Sequence, residues 1–182
     1  TLSSSSAASD VYKRQAARLQ PRGVVVVRVT EGQPLPFADD SFALVSSRHP
    51  VAVDWAEVSR VLAPGGSYLA QHVGPASAFE LVEEFLGPQP TEIRSRRDPE
   101  VEASEARAAG LDVVDLRTER LRIEFYDVGA IVWFLRKVIW LVPGFDSASH
   151  RERLQSLHER LQEGPFVAHS SRTLIEARKP RR

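Results

Sequence analysis

Residues 42–73 read FALVSSRHPVAVDWAEVSRVLAPGGSYLAQHV, and this stretch decides what fold the chain builds. Phe42–Ser47 (FALVSS) is a short, largely apolar run, the pattern of a strand buried on both faces. Asp54 is placed to cap a helix, with Glu57 three residues on as in a capping box, and the helix runs through Leu62. Pro64-Gly65-Gly66 stops it. Ser67–Val73 (SYLAQHV) then reads as another strand. Strand, helix and strand at this short spacing predict a crossover connection and parallel pairing.

The same alternation extends in both directions. Upstream, Val24–Val29 (VVVVRV) is a β-branched run bounded by Gly23 and Gly32, which predicts a buried strand. Pro34, Pro36 and Asp39-Asp40-Ser41 mark the loop and turn that follow. Downstream, the pattern predicts a helix over Ala76–Leu86 ended by Gly87-Pro88, and a polar helix over Pro99–Ala109 ended by Gly110. A strand follows at Val113–Thr118, then helices over Asp127–Leu141 and His150–Glu163, and a last strand at Thr173–Arg178. The expected class is α/β, a mostly parallel sheet flanked by helices, with an antiparallel strand near the C-terminus.

Composition narrows the function classes. The chain has 182 residues, enough for one domain with a core. Lys+Arg and Asp+Glu number 24 each, so no net charge draws it to nucleic acid or to an anionic membrane. The basic end, Arg178-Lys179-Pro180-Arg181-Arg182, reads as a solvated tail. The absence of Cys excludes disulfides and thiolate metal sites, and fits a cytoplasmic setting. The five His form no HxxxH pair, and no G-x-S-x-G elbow or P-loop occurs, so no metal site is expected. Thr1–Gln15 is Ser-rich, lacks apolar periodicity and resembles translated adaptor sequence. It is expected to be a disordered, non-native leader to a domain spanning 16–180.

Two pieces of sequence carry a family resemblance. They are Glu31-Gly32-Gln33-Pro34-Leu35-Pro36-Phe37-Ala38-Asp39-Asp40-Ser41-Phe42 and, at the right separation, Val58–Gly66 (VSRVLAPGG). Ala108-Ala109-Gly110-Leu111, leading into Val113-Val114, extends the match. The chain resembles the later two-thirds of class I S-adenosylmethionine-dependent methyltransferases, which implies a Rossmann-like fold incomplete at its N-terminus. Ala43 departs from the pattern, which has Asp there. In an open parallel sheet, ligands sit outside the carboxyl ends of the strands. The resemblance implies that Glu31 accepts a hydrogen bond from the adenine amino group, that the Gly32 N–H meets a ring nitrogen, and that Ser46, Ser47 and Arg48 line the cofactor and the substrate mouth. A solvated loop carboxylate is the competing reading of Glu31. The family's glycine-rich GxGxG loop and the acid that binds the ribose have no counterpart in this sequence. Losing two or three charge-assisted hydrogen bonds of about 1.5–3 kcal/mol each removes roughly 5 kcal/mol, or about three to four decades of affinity.

Methyl transfer at a sulfonium needs positioning first, and a base only when the acceptor must lose a proton. His49, just after the Phe42 strand, is the base candidate, although a His before Pro50 also suits a turn. His72, Tyr126 and Trp133 are candidate substrate contacts, and Asp127 is a weaker one. The segment 120–165 is expected to be a helical lid. Its apolar run Asp127–Val142 is interrupted by Arg136 and Lys137 and is too short for stable membrane insertion; an interfacial helix is the alternative. The expected activity is transfer of a methyl group to a small molecule. A non-catalytic Rossmann-like binding or assembly module is the competing class.

Overall fold

In the computed structural model, residues 17–27, 29–30 and 32–181 are described. The chain divides into two units, Thr1–Ala38 and Asp39–Arg182. In the first, Gln20–Arg22 forms a single 3-10 turn closed by Gly23 in the left-handed conformation. The predicted strand at Val24–Val29 is not there: its described residues lack regular structure, and Val25 is 84% exposed. Arg28, inside that run, lies outside the described residues. A β-branched run favours a strand only when a neighbour supplies the ladder and a face to pack on.

The second unit holds a four-stranded sheet. Its strands are β1 (Phe42–Arg48), β2 (Leu62–Val73), β3 (Asp112–Phe125) and β4 (Phe166–Arg178), in the order β1-β2-β4-β3. The helices are α1 (Trp55–Val61), α2 (Phe79–Leu86), α3 (Thr91–Arg94), α4 (Pro99–Ala108), α5 (Val128–Lys137) and α6 (Arg151–Arg160). β1 and β2 pair in parallel, as the 42–73 stretch predicts. β4 pairs antiparallel with both β2 and β3. The sheet is therefore mixed and mostly antiparallel, which corrects the expectation of a mostly parallel one. The antiparallel strand near the C-terminus was expected; what its short C-terminal pattern hid is that it lies between two strands and reverses both ladders.

Local chemistry explains the element ends. The Asp54 carboxylate accepts from the Glu57 N–H at 3.0 Å, opening α1. The Glu57 carboxylate is held by Arg60 at 2.7 Å, so the capping box forms in one direction only. Leu62 turns extended directly after α1, so β2 begins at the end of the helix, five residues before the predicted start. Asp98 and Asp127 cap α4 and α5 in the same manner as Asp54. β3 and β4 both extend well beyond the predicted strands, pairing from Asp112–Arg178 to Phe125–Phe166.

Each face of the sheet builds its own core. Tyr68, Ala70, Ile175 and Ala177 face α1 and α4, where they meet Trp55, Val58, Leu62, Ala106 and Leu111. Phe125 and Ala168, at the far end of the β3–β4 ladder, pack with Leu81 of α2, Ile131 and Leu135 of α5, and Leu157 of α6. The exposed stretch of β3 carries Arg117, Glu119, Arg120 and Arg122, which blunts that sheet edge with charge. β1 is the opposite edge among the described residues and leaves Leu44 58% exposed. No helix among the described residues is long and apolar enough to cross a membrane.

Gly66 marks the closest approach of β2 to the entry of β1. A Cβ there lies 2.8 Å from the Ala63 carbonyl oxygen, 2.9 Å from that of Phe42 and 3.1 Å from that of Ala43. Backbone cannot move aside as a side chain can. Gly66→Ala is expected to destabilise the fold by about 1–3 kcal/mol, measured as a lower urea midpoint. Gly164→Ala, where nothing lies within 4 Å of the added atom, is expected to leave the midpoint within about 0.5 kcal/mol of the parent.

Candidate functional site

The carboxyl ends of β1 and β2 converge, because the strands run in parallel and stop at Arg48 and Val73. Residues alternate faces along a strand, so neighbours in β1 serve different environments. Ser47 turns to the α1 face. Its Oγ shares a 2.5 Å hydrogen bond with the Tyr68 hydroxyl, which lies 3.1 Å from His72 Nε2. His72 Nδ1 lies 2.5 Å from a Glu102 carboxylate oxygen. An ionised carboxylate only accepts, so Nδ1 donates to it; with the ring neutral, Nε2 then accepts from Tyr68. The Tyr68 oxygen in turn accepts from Ser47, and all the donors point one way. Burial, more than the Glu102 charge, pushes the Tyr68 hydroxyl's pKa upward, against the hydrogen bond from Ser47. A cavity of about 340 Å³ adjoins this chain, lined among others by Trp55, His72, Glu102 and Glu105.

Arg48 pairs with Gln71, and Val73 pairs with Arg172, so these four residues occupy the other face of the sheet. His49 leaves β1 with φ of 52° and is tied to β2 by its N–H, which donates to the Gln71 carbonyl at 2.7 Å. Its imidazole pKa is lowered by burial, then by Arg172 and Arg48; a hydrogen bond to Gln71 opposes this, and Arg97 adds to the lowering. Burial, then Arg48, also lowers the pKa of Arg172.

The predicted site residues thus fall into separate groups. Ser46, Arg48 and His49 are exposed at one strand end, and Ser47 and His72 belong to the hydrogen-bonded chain on the opposite face. His72, only 3% exposed, is held by Glu102 and Tyr68. Tyr126 is exposed at the end of β3 and bonded to Glu124. Phe125, its neighbour, pairs with Phe166, six residues along β4 from Arg172, or about 20 Å at roughly 3.3 Å per residue. Trp133 is 64% exposed on α5, and Asp127 spends its carboxylate on the α5 cap. Gly32 belongs to the first unit, with φ of +75°, and Glu31 lies outside the described residues. Sequence reasoning missed Tyr68, Glu102, Arg97 and Arg172. The first two sit on different elements 34 positions apart, and Arg172 lies outside the predicted bounds of its strand.

No family model matches the chain, and no curated protein matches it in sequence. Its fold does match solved structures. A candidate methyltransferase from Bacillus halodurans superposes with a TM-score of 0.55 at 19% identity, over 94% of this chain and 79% of that one. The YcgJ protein of Bacillus subtilis gives 0.54 at 20% identity, over 95% and 80%. The cyclase SpnF gives 0.50 at 18% identity, over 92% and 61%. The chain therefore shares the fold of these proteins, and the presence of a cyclase among them means that fold alone does not set the reaction.

Tyr68→Phe strips the central oxygen from the chain and leaves Ser47 Oγ and His72 Nε2 without their shared partner. The expected cost is about 1–3 kcal/mol, read as a drop in the urea midpoint. Combined with Glu102→Gln in a double-mutant cycle, the two changes are expected to be non-additive.

Proposed function

We propose that this chain is a methyltransferase domain that moves a methyl group from S-adenosylmethionine to a small-molecule acceptor. The observation that carries the reading is the placement of Ser46, Arg48 and His49 together at the carboxyl end of a parallel strand pair, where open α/β sheets bind ligands. The likeness of fold and the LPF and RVLAPGG motifs support it. The exposed Ser46 hydroxyl and the Arg48 guanidinium are donors suited to hydroxyl and carboxylate groups, so the residues present fit the polar parts of such a cofactor. When bound, the cofactor supplies an electrophilic methyl on a sulfonium.

The chain's own residues then have three tasks. Arg48 orients the acceptor at the mouth. His49, whose imidazole pKa is lowered by burial and by the guanidiniums near it, takes the proton that an O–H or N–H acceptor sheds as it is methylated. The segment 120–165, with α5 and α6, serves as a lid that limits access of water. The setting is cytoplasmic in this proposal. Because no GxGxG motif occurs in the sequence, cofactor affinity is weak.

Ligand-observed NMR with S-adenosylhomocysteine tests the proposal. The expected dissociation constant is in the millimolar range, about three to four decades weaker than a full set of contacts gives, and Arg48→Gln weakens it further. Micromolar binding overturns the weak-affinity part. No binding up to about 10 mM, the top of that range, overturns the methyltransferase reading and leaves the binding-module reading. One observation favours that alternative: Leu44 and Leu69 lie exposed on one sheet face, as a docking surface does.

A further inference from the structure

We propose that Arg48, Arg97, Arg172 and His49 form a binding site for the anionic group of the methyl acceptor, a phosphate or a carboxylate. Naming the ligand as the acceptor rests on the methyltransferase reading; the anion site itself does not. β1 delivers Arg48 and β4 delivers Arg172 to the same face of the sheet, at the end where β1 and β2 stop. Arg97 comes from the loop between α3 and α4, held at φ of 65°, a conformation that residues with a side chain rarely adopt.

None of these three guanidiniums meets a carboxylate among the described residues, whereas Arg60, Arg94 and Arg160 each do. Arg172 is the most telling. It is half-buried, and its Nη1 donates to the Ser171 carbonyl at 2.9 Å and the Ser77 hydroxyl at 3.3 Å. These neutral acceptors fix the side chain without neutralising it. Burying a charge without a counter-charge is unfavourable, so a half-buried guanidinium held only by neutral acceptors favours binding of an anion. All three guanidiniums act on one imidazole: His49 feels Arg172, Arg48 and Arg97, with Gln71 as its hydrogen-bond partner and no carboxylate among the described residues acting on it. A cationic cluster is also a poor neighbour for a sulfonium unless an anion lies between them. Guanidinium forks match the oxygens of phosphate and carboxylate alike.

The test follows the His49 imidazole by NMR in the full chain at constant ionic strength, with inorganic pyrophosphate and, separately, succinate as probes. The expected result is a saturable upward move of the His49 titration midpoint, because an anion offsets the guanidinium field. Arg172→Gln and Arg97→Gln are each expected to weaken binding by about tenfold. Arg97 lies on a loop, so its variant reads the site even if Arg172→Gln perturbs the fold. Arg178→Gln, at the other end of β4 and paired with Glu176, is expected to leave binding unchanged. Preference for pyrophosphate over succinate assigns a phosphate, and the reverse assigns a carboxylate. No response to either probe, or equal weakening by Arg178→Gln, overturns the site. A repeat with S-adenosylhomocysteine present separates two sources of the anion. Continued pyrophosphate binding supports the acceptor, while competitive displacement gives the cluster to the cofactor's carboxylate and overturns the acceptor assignment. The pyrophosphate arm needs no cofactor, so a failed methyltransferase reading and a failed anion site are told apart.

Discussion

The second unit depends on the insertion of β4 between β2 and β3. Residues 172–178 of β4 are laddered on both sides, and residues 166–171 continue the ladder with β3 alone. Its Ile175 and Ala177 are fully buried against α1 and α4, and its Ala168 against α2, α5 and α6. One strand thus ties together two cores that lie on opposite faces. Because the strands on either side of β4 are both antiparallel to it, they are parallel to each other. A shift of β4 by one residue would turn every side chain to the opposite face, taking Ile175 and Ala177 out of one core and Ala168 out of the other.

That reversed strand also shapes the site. A strand codirectional with β1 and β2 would bring its last residues to their carboxyl ends. β4 instead passes there in mid-course, opposite Val73, and leaves Arg172 at the mouth before running down the sheet. The two sheet faces are then put to different use within a single dipeptide. Ser47 leads inward to Tyr68, His72 and Glu102, where every donor finds an acceptor. Arg48 leads outward to the face that carries Arg172, where neither guanidinium meets a carboxylate among the described residues. The inward chain closes on its own hydrogen bonds, whereas the outward guanidiniums find neutral acceptors and no carboxylate among the described residues, the difference on which the proposed anion site rests.

The sequence by itself determined the local elements of the second unit. The apolar run at Phe42, the Asp54 cap and the Leu62–Val73 stretch each act over a few residues, so composition and spacing reveal them, and β1, α1 and β2 follow. The family resemblance, not composition or spacing, singled out Ser46, Ser47 and Arg48 as candidates at the end of β1, and the structure turns Ser47 to the opposite face from the other two. Composition and spacing failed where the outcome depends on a partner distant in the chain. Val24–Val29 has the composition of a strand, yet β-branched residues form one only beside a ladder, and its described residues join none. The direction of β4 is invisible to periodicity, because parallel and antiparallel strands share the same two-residue repeat.

Only the tertiary structure decided which side chains meet. His72 carries the same residue type and strand position whether it faces a ligand or a core; its contact with Glu102, thirty positions away, settles that it faces inward. Arg172 has no local motif at all, and 124 positions separate it from Arg48. Their shared face is set by two ladder registers, through Gln71 and Val73 on the intervening strand. Short-range preferences are written in neighbouring residues, whereas register and the pairing of charges arise only when the whole sheet closes around its cores.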